Sequence, residues 1–277
     1  MTSATLATRR PRTSPGGAKK SKELKWKLAV AAEVALLFGL WELAVSVFKL
    51  ANPVFVPPPS AIWNSFTEMV ADGSLGGHAW FSTQNALIGF VLAVVIGVGS
   101  GLALGSSRWV SDIAGPPFWT AYSMPRIAFQ PLLVLWMGFG EGPKILIIFL
   151  MAVFPVAINT MDGIRGVDPS LVKAARVFGA SRTAIFFKVQ LWAALPLILT
   201  GVRMGVARAM VGIVIGEFIG GSEGLGYLIF RRSADFDLAS SLAITLMLVV
   251  IANLLMALVS LVRRLIAPWY SEGVTPE

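Results

Sequence analysis

Six long runs of apolar residues, separated by polar or proline-containing segments, dominate the pattern along the chain. A helix needs about 20 apolar residues to cross about 30 Å of hydrocarbon. Backbone groups inside such a run must be satisfied within it, so each run is predicted to be a helix, and the alternation of a membrane barrel is absent. The predicted spans are 28–48, 84–105, 117–138, 144–161, 193–216 and 238–262.

The segments between the runs carry the breakers and polar residues. The Pro57-Pro58-Pro59-Ser60 sequence cannot continue a helix, and Ser60 is expected to begin a short amphipathic helix that reaches about Val70. Short turns are predicted at 106–117 and 138–143, a longer polar interruption at 162–191, and a glycine-rich loop at 217–237. The glycines of that last loop favour a re-entrant or gating turn rather than a nucleotide site.

Composition strengthens the membrane prediction. The chain is 56% hydrophobic and 14% charged, whereas a soluble domain carries about 25% charged residues. An all-α polytopic membrane protein with about six spans is therefore expected. The absence of cysteine excludes disulfides and thiolate metal sites. The single histidine, His78, has no second histidine to complete a zinc pair, so no metal site is predicted and a structural role is expected.

The basic residues suggest an orientation. Residues 1–27 contain eight Lys and Arg against one Glu, and are expected to form a disordered cytoplasmic tail that lies against anionic lipid headgroups and does not bind nucleic acid. With both termini cytoplasmic, the segments inside hold 16 basic residues and those outside hold 4. The positive-inside rule therefore favours cytoplasmic termini.

Glycines recur at every fourth position in the second predicted span. Gly97, Gly101 and Gly105 fall on one face of a helix. Small residues at this spacing let a neighbouring helix approach closely, so we expect this face to be a packing surface.

The polar interruption contains a well-marked short helix. Asp168 is suited to the N-cap, Pro169 to the first turn and Gly179 to the C-terminal stop, which predicts a helix over 169–178. Ser181 is expected to cap a second helix that leads into the fifth span. An apolar face formed by Leu171, Ala174, Ala175 and Phe178 favours two interpretations equally, a docking element for a soluble partner or a helix lying on the membrane surface.

The spacing in this loop resembles the signature loop of binding-protein-dependent ABC importer permeases, Glu-Ala-Ala-x3-Gly-x9-Ile-x-Leu-Pro. The matching positions are Ala174, Ala175, Gly179, Val189 and Leu191. Two positions depart from the pattern, since Lys173 replaces the Glu and Trp192 replaces the Pro. Segments 54–63, 123–145, 154–168 and 199–229 are also similar to the nitrate, sulfonate and taurine branch of that family.

The resemblance implies a type I ABC importer permease. It would occupy 28–267, with a core region of about 80–265 and a cytoplasmic tail at 268–277. Such a chain is a non-catalytic subunit of the cell (inner) membrane that works as a homodimer with two ATPase subunits and an extracytoplasmic binding protein. ATP and Mg²⁺ would be bound by the partner ATPase. The resemblance places the ATPase-coupling helix at Leu171, Lys173, Ala174, Ala175, Arg176 and Gly179.

Ionisable and polar side chains within or beside the apolar spans are candidates for a solute pathway, because a charge there is costly unless it is paired or hydrated. The candidates are Arg126, Gln130, Arg203, Arg208 and Glu217. Arg126 follows Pro125, which is expected to break the helix of the third span. An anionic solute would suit Arg126 and Arg208. Ion pairing within or between subunits, or snorkelling to the headgroups, is the somewhat favoured alternative for Arg126 and the more strongly favoured one for the other candidates.

Two other function classes are weighed against the importer. A secondary transporter or channel independent of an ATPase would need coupling-ion sites and often has inverted repeats, and the sequence shows no clear repeat. A membrane-embedded enzyme would need a catalytic cluster that the sequence lacks. The chain has no Gly-x4-Gly-Lys-Ser/Thr loop, so ATP hydrolysis is expected in a partner. The resemblance favours a small anion such as nitrate, a sulfonate or taurine as the solute.

Overall fold

A computed structural model of the chain describes residues 16–219 and 221–267, and every regular element in these residues is a helix. The α-helices are α1 (Gly16–Glu42), α2 (Pro59–Ala71), α3 (Ser74–Ser106), α4 (Arg108–Ser123), α5 (Gln130–Met137), α6 (Glu141–Arg165), α7 (Pro169–Val177), α8 (Arg182–Ile185), α9 (Leu191–Phe218), α10 (Leu225–Ala234) and α11 (Leu238–Ile266). A 3₁₀ turn precedes α5 at Arg126–Phe129, and π-helical turns follow α1 at Leu43–Val47 and precede α9 at Phe186–Gln190.

The chain divides into two compact units, Met1–Ala61 and Ile62–Glu277. In the first unit α1 begins at Gly16, so residues 16–27 are helical where a disordered tail was expected. The Lys-rich sequence there contains good helix formers, which accounts for the longer helix. The first 15 residues of the expected tail and all of the expected C-terminal tail at 268–277 lie outside the described residues.

In the part of the chain that the structure describes, five helical segments are long and apolar enough to cross a membrane. They are Trp26–Val47, Ser74–Ser106, Glu141–Arg165, Arg182–Phe218 and Leu238–Ile266, and they correspond to five of the six predicted runs, the first of which ends one residue beyond its segment. The predicted helix from Ser60 to about Val70 is confirmed as α2.

The third predicted run, 117–138, is not one continuous helix. Helix α4 ends at Ser123, Met124 is extended, and the chain resumes after Pro125 as the 3₁₀ turn and α5. Proline lacks an N–H donor and forces the residue before it out of the helical region, which explains the break. The turn predicted at 106–117 is also wrong over most of its length. Ser107 caps α4 by accepting a hydrogen bond from the Val110 N–H, and the helix continues through Pro116 and Pro117.

Helices α3, α6 and α9 pack against each other through glycines. A Cβ on Gly101 would lie 2.5 Å from the Ala157 carbonyl oxygen of α6, and a Cβ on Gly97 would lie 2.9 Å from the Val153 oxygen. From the other side, a Cβ on Gly212 of α9 would lie 2.8 Å from the Ile148 Cα. The glycine packing face predicted in the second span is confirmed. Helix α6 packs against glycines of α3 on one side and of α9 on the other.

The predicted glycine-rich loop at 217–237 is mostly helix. Helix α9 continues to Phe218, and α10 occupies ten of the residues expected to be loop. Leu225, Gly226 and Leu228 of α10 are buried, so tertiary packing rather than local sequence stabilises this helix.

Candidate functional site

Helix α7 in the polar interruption is defined by caps from its own sequence. The Asp168 carboxylate accepts a hydrogen bond from the Ser170 N–H at 2.8 Å, as predicted for an N-cap. That backbone hydrogen bond lowers the pKa of Asp168 below its ordinary value. Gly179 follows the helix at φ +79°, and the N–H groups of Gly179 and Ala180 donate to the Arg176 and Ala175 carbonyls. This pair of bonds is a Schellman motif.

The surface of α7 is open. None of its residues is buried, and Val177 and Phe178 at its end are 85% and 90% exposed. Leu171 is 48% exposed. Apolar side chains this exposed on a rigidly capped helix form a surface that a partner or a membrane could cover. Ser181 then caps the next helix by accepting from the Ala184 N–H, as predicted.

One arginine that the sequence did not single out joins this loop to the bundle. Arg165, at the end of α6, donates to the Leu104 carbonyl at 3.0 Å and to the Ser111 hydroxyl at 2.7 Å. These contacts tie the last turn of α6 to α3 and α4. The start of the loop that carries α7 is therefore fixed to two other helices.

A cavity of about 200 Å³ lies among the residues of α4, α6 and α9 and the 3₁₀ turn. Its lining brings together two of the predicted pathway residues, Arg126 and Arg208, although they are far apart in sequence. The full lining is Tyr122, Arg126, Met151, Pro155, Ile158, Asn159, Met204 and Arg208. None of these residues is acidic, so the cavity is electropositive.

Aromatic rings hold Arg126 at this cavity. Its guanidinium carbon lies 5.0 Å from the centre of the Phe154 ring and 5.4 Å from that of Tyr122, within the range of cation–π attraction. The same guanidinium donates to the Tyr122 carbonyl at 3.4 Å. The break at Pro125 is what turns this arginine toward α6. Tyr122 and Asn159 were not predicted, since nothing in their local sequence marks them as pathway residues.

The remaining candidates lie elsewhere. Arg203 does not line the cavity. Gln130 is fully buried and donates to the Gly216 carbonyl at 3.1 Å. Glu217 is 1% exposed, and its carboxylate accepts hydrogen bonds from the Ser82 hydroxyl at 2.7 Å and from the Gly226 N–H at 2.7 Å. His78 accepts a hydrogen bond from the Gly224 N–H, in keeping with the structural role expected of it.

Comparison with known proteins identifies the family to which the chain is similar. The family described as "Binding-protein-dependent transport system inner membrane component" matches residues 89–272. The taurine transport system permease protein TauC of Escherichia coli is 31% identical over 91% of this chain and 96% of its own length. SsuC of Bacillus subtilis, named for transport of aliphatic sulfonates, is 32% identical over 97% of this chain and 98% of its own length.

Other similar proteins broaden the picture. The riboflavin transport system permease protein RibX of Chloroflexus aurantiacus is 32% identical over 87% of this chain and 90% of its own length. Among solved structures, an inward-facing conformation of the MetNI methionine ABC transporter superposes with a TM-score of 0.59 at 17% identity. The superposition covers 69% of this chain and 94% of that one. This structural likeness shows the fold.

Proposed function

The chain belongs to the binding-protein-dependent transport system inner membrane components, and we propose that it carries a small sulfonate-type anion across the membrane. It is the membrane-spanning permease subunit of an ABC importer and is not itself an enzyme. Permeases of this family work with an ATPase and a binding protein. Membership therefore favours the ABC importer over a transporter or channel that is independent of an ATPase.

The cavity that contains Arg126 and Arg208 is the observation on which the choice of an anion rests. The names of the relatives do not select a solute, because they include sulfonates, taurine and riboflavin at similar identity. Two guanidinium groups facing one cavity without an acidic neighbour favour a compact oxyanion. A sulfonate or nitrate offers several equivalent oxygens to the planar donors of arginine.

Helix α7 is the element that we propose couples ATP hydrolysis to transport. Its two ends are fixed by local caps, and most of its apolar residues are exposed, with Val172 and Ala175 partly buried, which suits a rigid helix that enters a groove of an ATPase subunit. Lys173 carries a positive charge at the position where the signature loop of the family has Glu. We therefore expect docking to depend on the shape of the small-residue face formed by Ala174 and Ala175 more than on that charge.

We further propose that two copies of the chain and two ATPase subunits form the working importer in the cell (inner) membrane. Both termini are placed on the cytoplasmic side, an orientation supported by the 16 to 4 distribution of basic residues. In this orientation α7 lies inside and α10 lies outside. Because both termini share one side, the number of crossings must be even, so the interrupted segment from α4 to α5 crosses as the sixth span beside the five long apolar segments.

The test is ATP-dependent uptake into proteoliposomes that contain the permease, its ATPase and its binding protein, with labelled alkyl sulfonate, taurine and nitrate offered in turn. We expect Arg208→Gln to lower sulfonate uptake at least about tenfold, because a hydrogen bond to a charged group is worth about 1.5–3 kcal/mol. Arg203→Gln is the matched control, since Arg203 lies on the same helix outside the cavity, and it should change uptake less than about twofold.

Two results would contradict the proposal. Equal uptake by the Arg208 and Arg203 variants would remove the cavity from the pathway. Wild-type uptake that follows an ion gradient and ignores ATP would reject the importer mechanism itself.

A further inference from the structure

The first turn of α10 is held by side chains from two other helices. A helix begins with N–H groups that have no partner inside the helix. Here three consecutive N–H groups have distant acceptors. Gly224 donates to His78 Nδ1 at 3.0 Å, Leu225 to Ser82 Oγ at 2.7 Å and Gly226 to Glu217 Oε2 at 2.7 Å. The residue at the N-cap position, Gly224, has no side chain that could do this locally.

Glu217 is the centre of this arrangement. Its carboxylate is almost completely buried and accepts from the Ser82 hydroxyl with both oxygens, at 2.7 and 2.9 Å. A buried carboxylate is costly unless hydrogen bonds compensate it. The Gly226 N–H and the positive end of the α10 dipole provide such compensation. Glu217, Ser82 and His78, which we call the α10 anchor, thus form one connected set of acceptors.

The backbone of α10 is shaped around the carboxylate. Gly224 adopts φ +114° and ψ 162°, a conformation that essentially only glycine adopts. A Cβ at Gly224 would overlap the carboxylate of Glu217, and a Cβ at Gly226 would lie 2.9 Å from the Glu217 Cβ. The close approach leaves no room for a solute at this carboxylate.

We propose that Glu217 is a positioning residue that fixes α10 to the ends of α3 and α9, and that import requires α10 to be fixed there. Arg208 and Glu217 lie on the same helix, about 13 Å apart along its axis, so the anchor joins α10 to the helix that lines the cavity. This inference rests on the proposed function for the placement of α10 on the outer side, where the solute is delivered. Glu217 then acts through α10 and does not contact the solute.

A spin label on α10 tests the anchor without reference to transport. The chain contains no cysteine, so Arg231→Cys on the exposed side of α10 provides a unique labelling site. In detergent we expect the label to become clearly more mobile when Glu217→Ala is added. Glu217→Gln, which retains one acceptor oxygen, should fall between the two. Asp235→Ala is the control, an exposed acid at the other end of α10, and should leave the spectrum unchanged.

Transport measurements on the unlabelled variants test the second half of the proposal. Glu217→Ala should lower ATP-dependent uptake at least tenfold and abolish stimulation of ATPase activity by the loaded binding protein. The ATPase should still co-purify with the variant, because α7 is untouched. If Glu217→Ala does not yield a monodisperse protein, Ser82→Ala replaces it, since it removes one acceptor and one donor of the same anchor.

Each outcome is decisive. If the label stays immobile in both Glu217→Ala and Glu217→Gln, the proposal that Glu217 fixes α10 is wrong. A mobile label together with normal uptake would overturn the requirement for a fixed α10. Uptake that ignores ATP in the wild-type protein would contradict the proposed function, while the label spectra would still report on the anchor.

Discussion

Two short helices of nearly equal length, α7 with 9 residues and α10 with 10, are stabilised in opposite ways. Helix α7 has no buried residue and takes its caps from Asp168 and Gly179, its neighbours in sequence. Helix α10 has three buried residues, and the acceptors for its first N–H groups include His78 and Ser82, more than 140 residues earlier in the chain.

The difference bears on what each helix can do. Isolated helices of this length are marginal in water, so each needs help from outside its hydrogen-bonded turns. Local caps travel with α7, which can therefore keep its shape while it moves with a partner. Distant acceptors would be lost if α10 moved, so α10 keeps its shape only in place. The first arrangement suits a docking element and the second suits a fixed part of the bundle.

The largest expected effect comes from making the same substitution at the positive-φ glycine of each helix. Gly179→Ala meets open space and should cost only the backbone term, about 1–2 kcal/mol. Gly224→Ala must also displace the Glu217 carboxylate and leave buried donors unsatisfied, so it should cost more than about 3 kcal/mol. The temperature at which each variant loses its monodisperse peak in detergent measures the difference.

A third glycine controls for the loss of glycine itself. A Cβ on Gly99, in the middle of α3, meets nothing within 4 Å, and Gly99→Ala should be neutral or slightly stabilising. Equal destabilisation by Gly179→Ala and Gly224→Ala would remove the contrast between the two helices, because the packed carboxylate would then contribute nothing.

The next effect is on function and confined to α7. Ala175→Asp places a charge on the small-residue face proposed to enter the ATPase, and we expect uptake to fall at least about tenfold through loss of docking. The unfolding temperature should stay close to that of the wild type, because none of the residues of α7 is buried. Uptake, ATPase activity and co-purification of the ATPase, measured on one preparation, separate uncoupling from misfolding.

Lys173→Glu is the informative companion variant. It introduces the residue that the resembling family has at this position, on the same exposed helix. We expect it to retain uptake and ATPase binding within about twofold, because shape rather than this charge dominates the proposed docking. Loss of docking in Lys173→Glu with normal docking in Ala175→Asp would reverse that assignment.

The same contrast explains what could be predicted from the sequence. The predicted bounds of α7, 169–178, differ from the observed ones by one residue at the C-terminal end. The agreement is close because Asp168, Pro169 and Gly179 mark the ends of the helix locally. The apolar spans were predicted because a long uninterrupted run has one solution in a membrane. The glycine face of α3 was predicted from its regular spacing, although the helix that packs on it could not be.

What was missed depends on contacts between distant segments. Helix α10 lies in a glycine-rich sequence that reads as a loop until Ser82 and Glu217 supply its caps. Of the pathway candidates, the structure brings Arg126 and Arg208 to one cavity. Their proximity depends on the break at Pro125 together with the packing of α9 on α6, and the sequence does not show that packing. The break itself was predictable from Pro125, and the structure confirms it within the 117–138 run. The pathway and coupling roles of these residues stay predictions.

The smallest expected effect concerns the N-cap of α7 and its dependence on pH. The hydrogen bond from the Ser170 N–H lowers the pKa of Asp168 in the folded protein, so its contribution is present above the ordinary pKa of about 3.9 and is lost as the pH falls further through the folded value. Asp168→Ala should speed amide exchange in the first turn of α7 roughly fivefold at pH 6. Asp168→Asn should retain the cap, since Asn is an equally good N-cap, and should not respond to acid. Below pH 4 the wild-type protein should therefore lose protection relative to Asp168→Asn in this turn, while the buried middle of α6 keeps its protection. Loss of protection across the whole bundle at that pH would mean that the cap of α7 is not local after all.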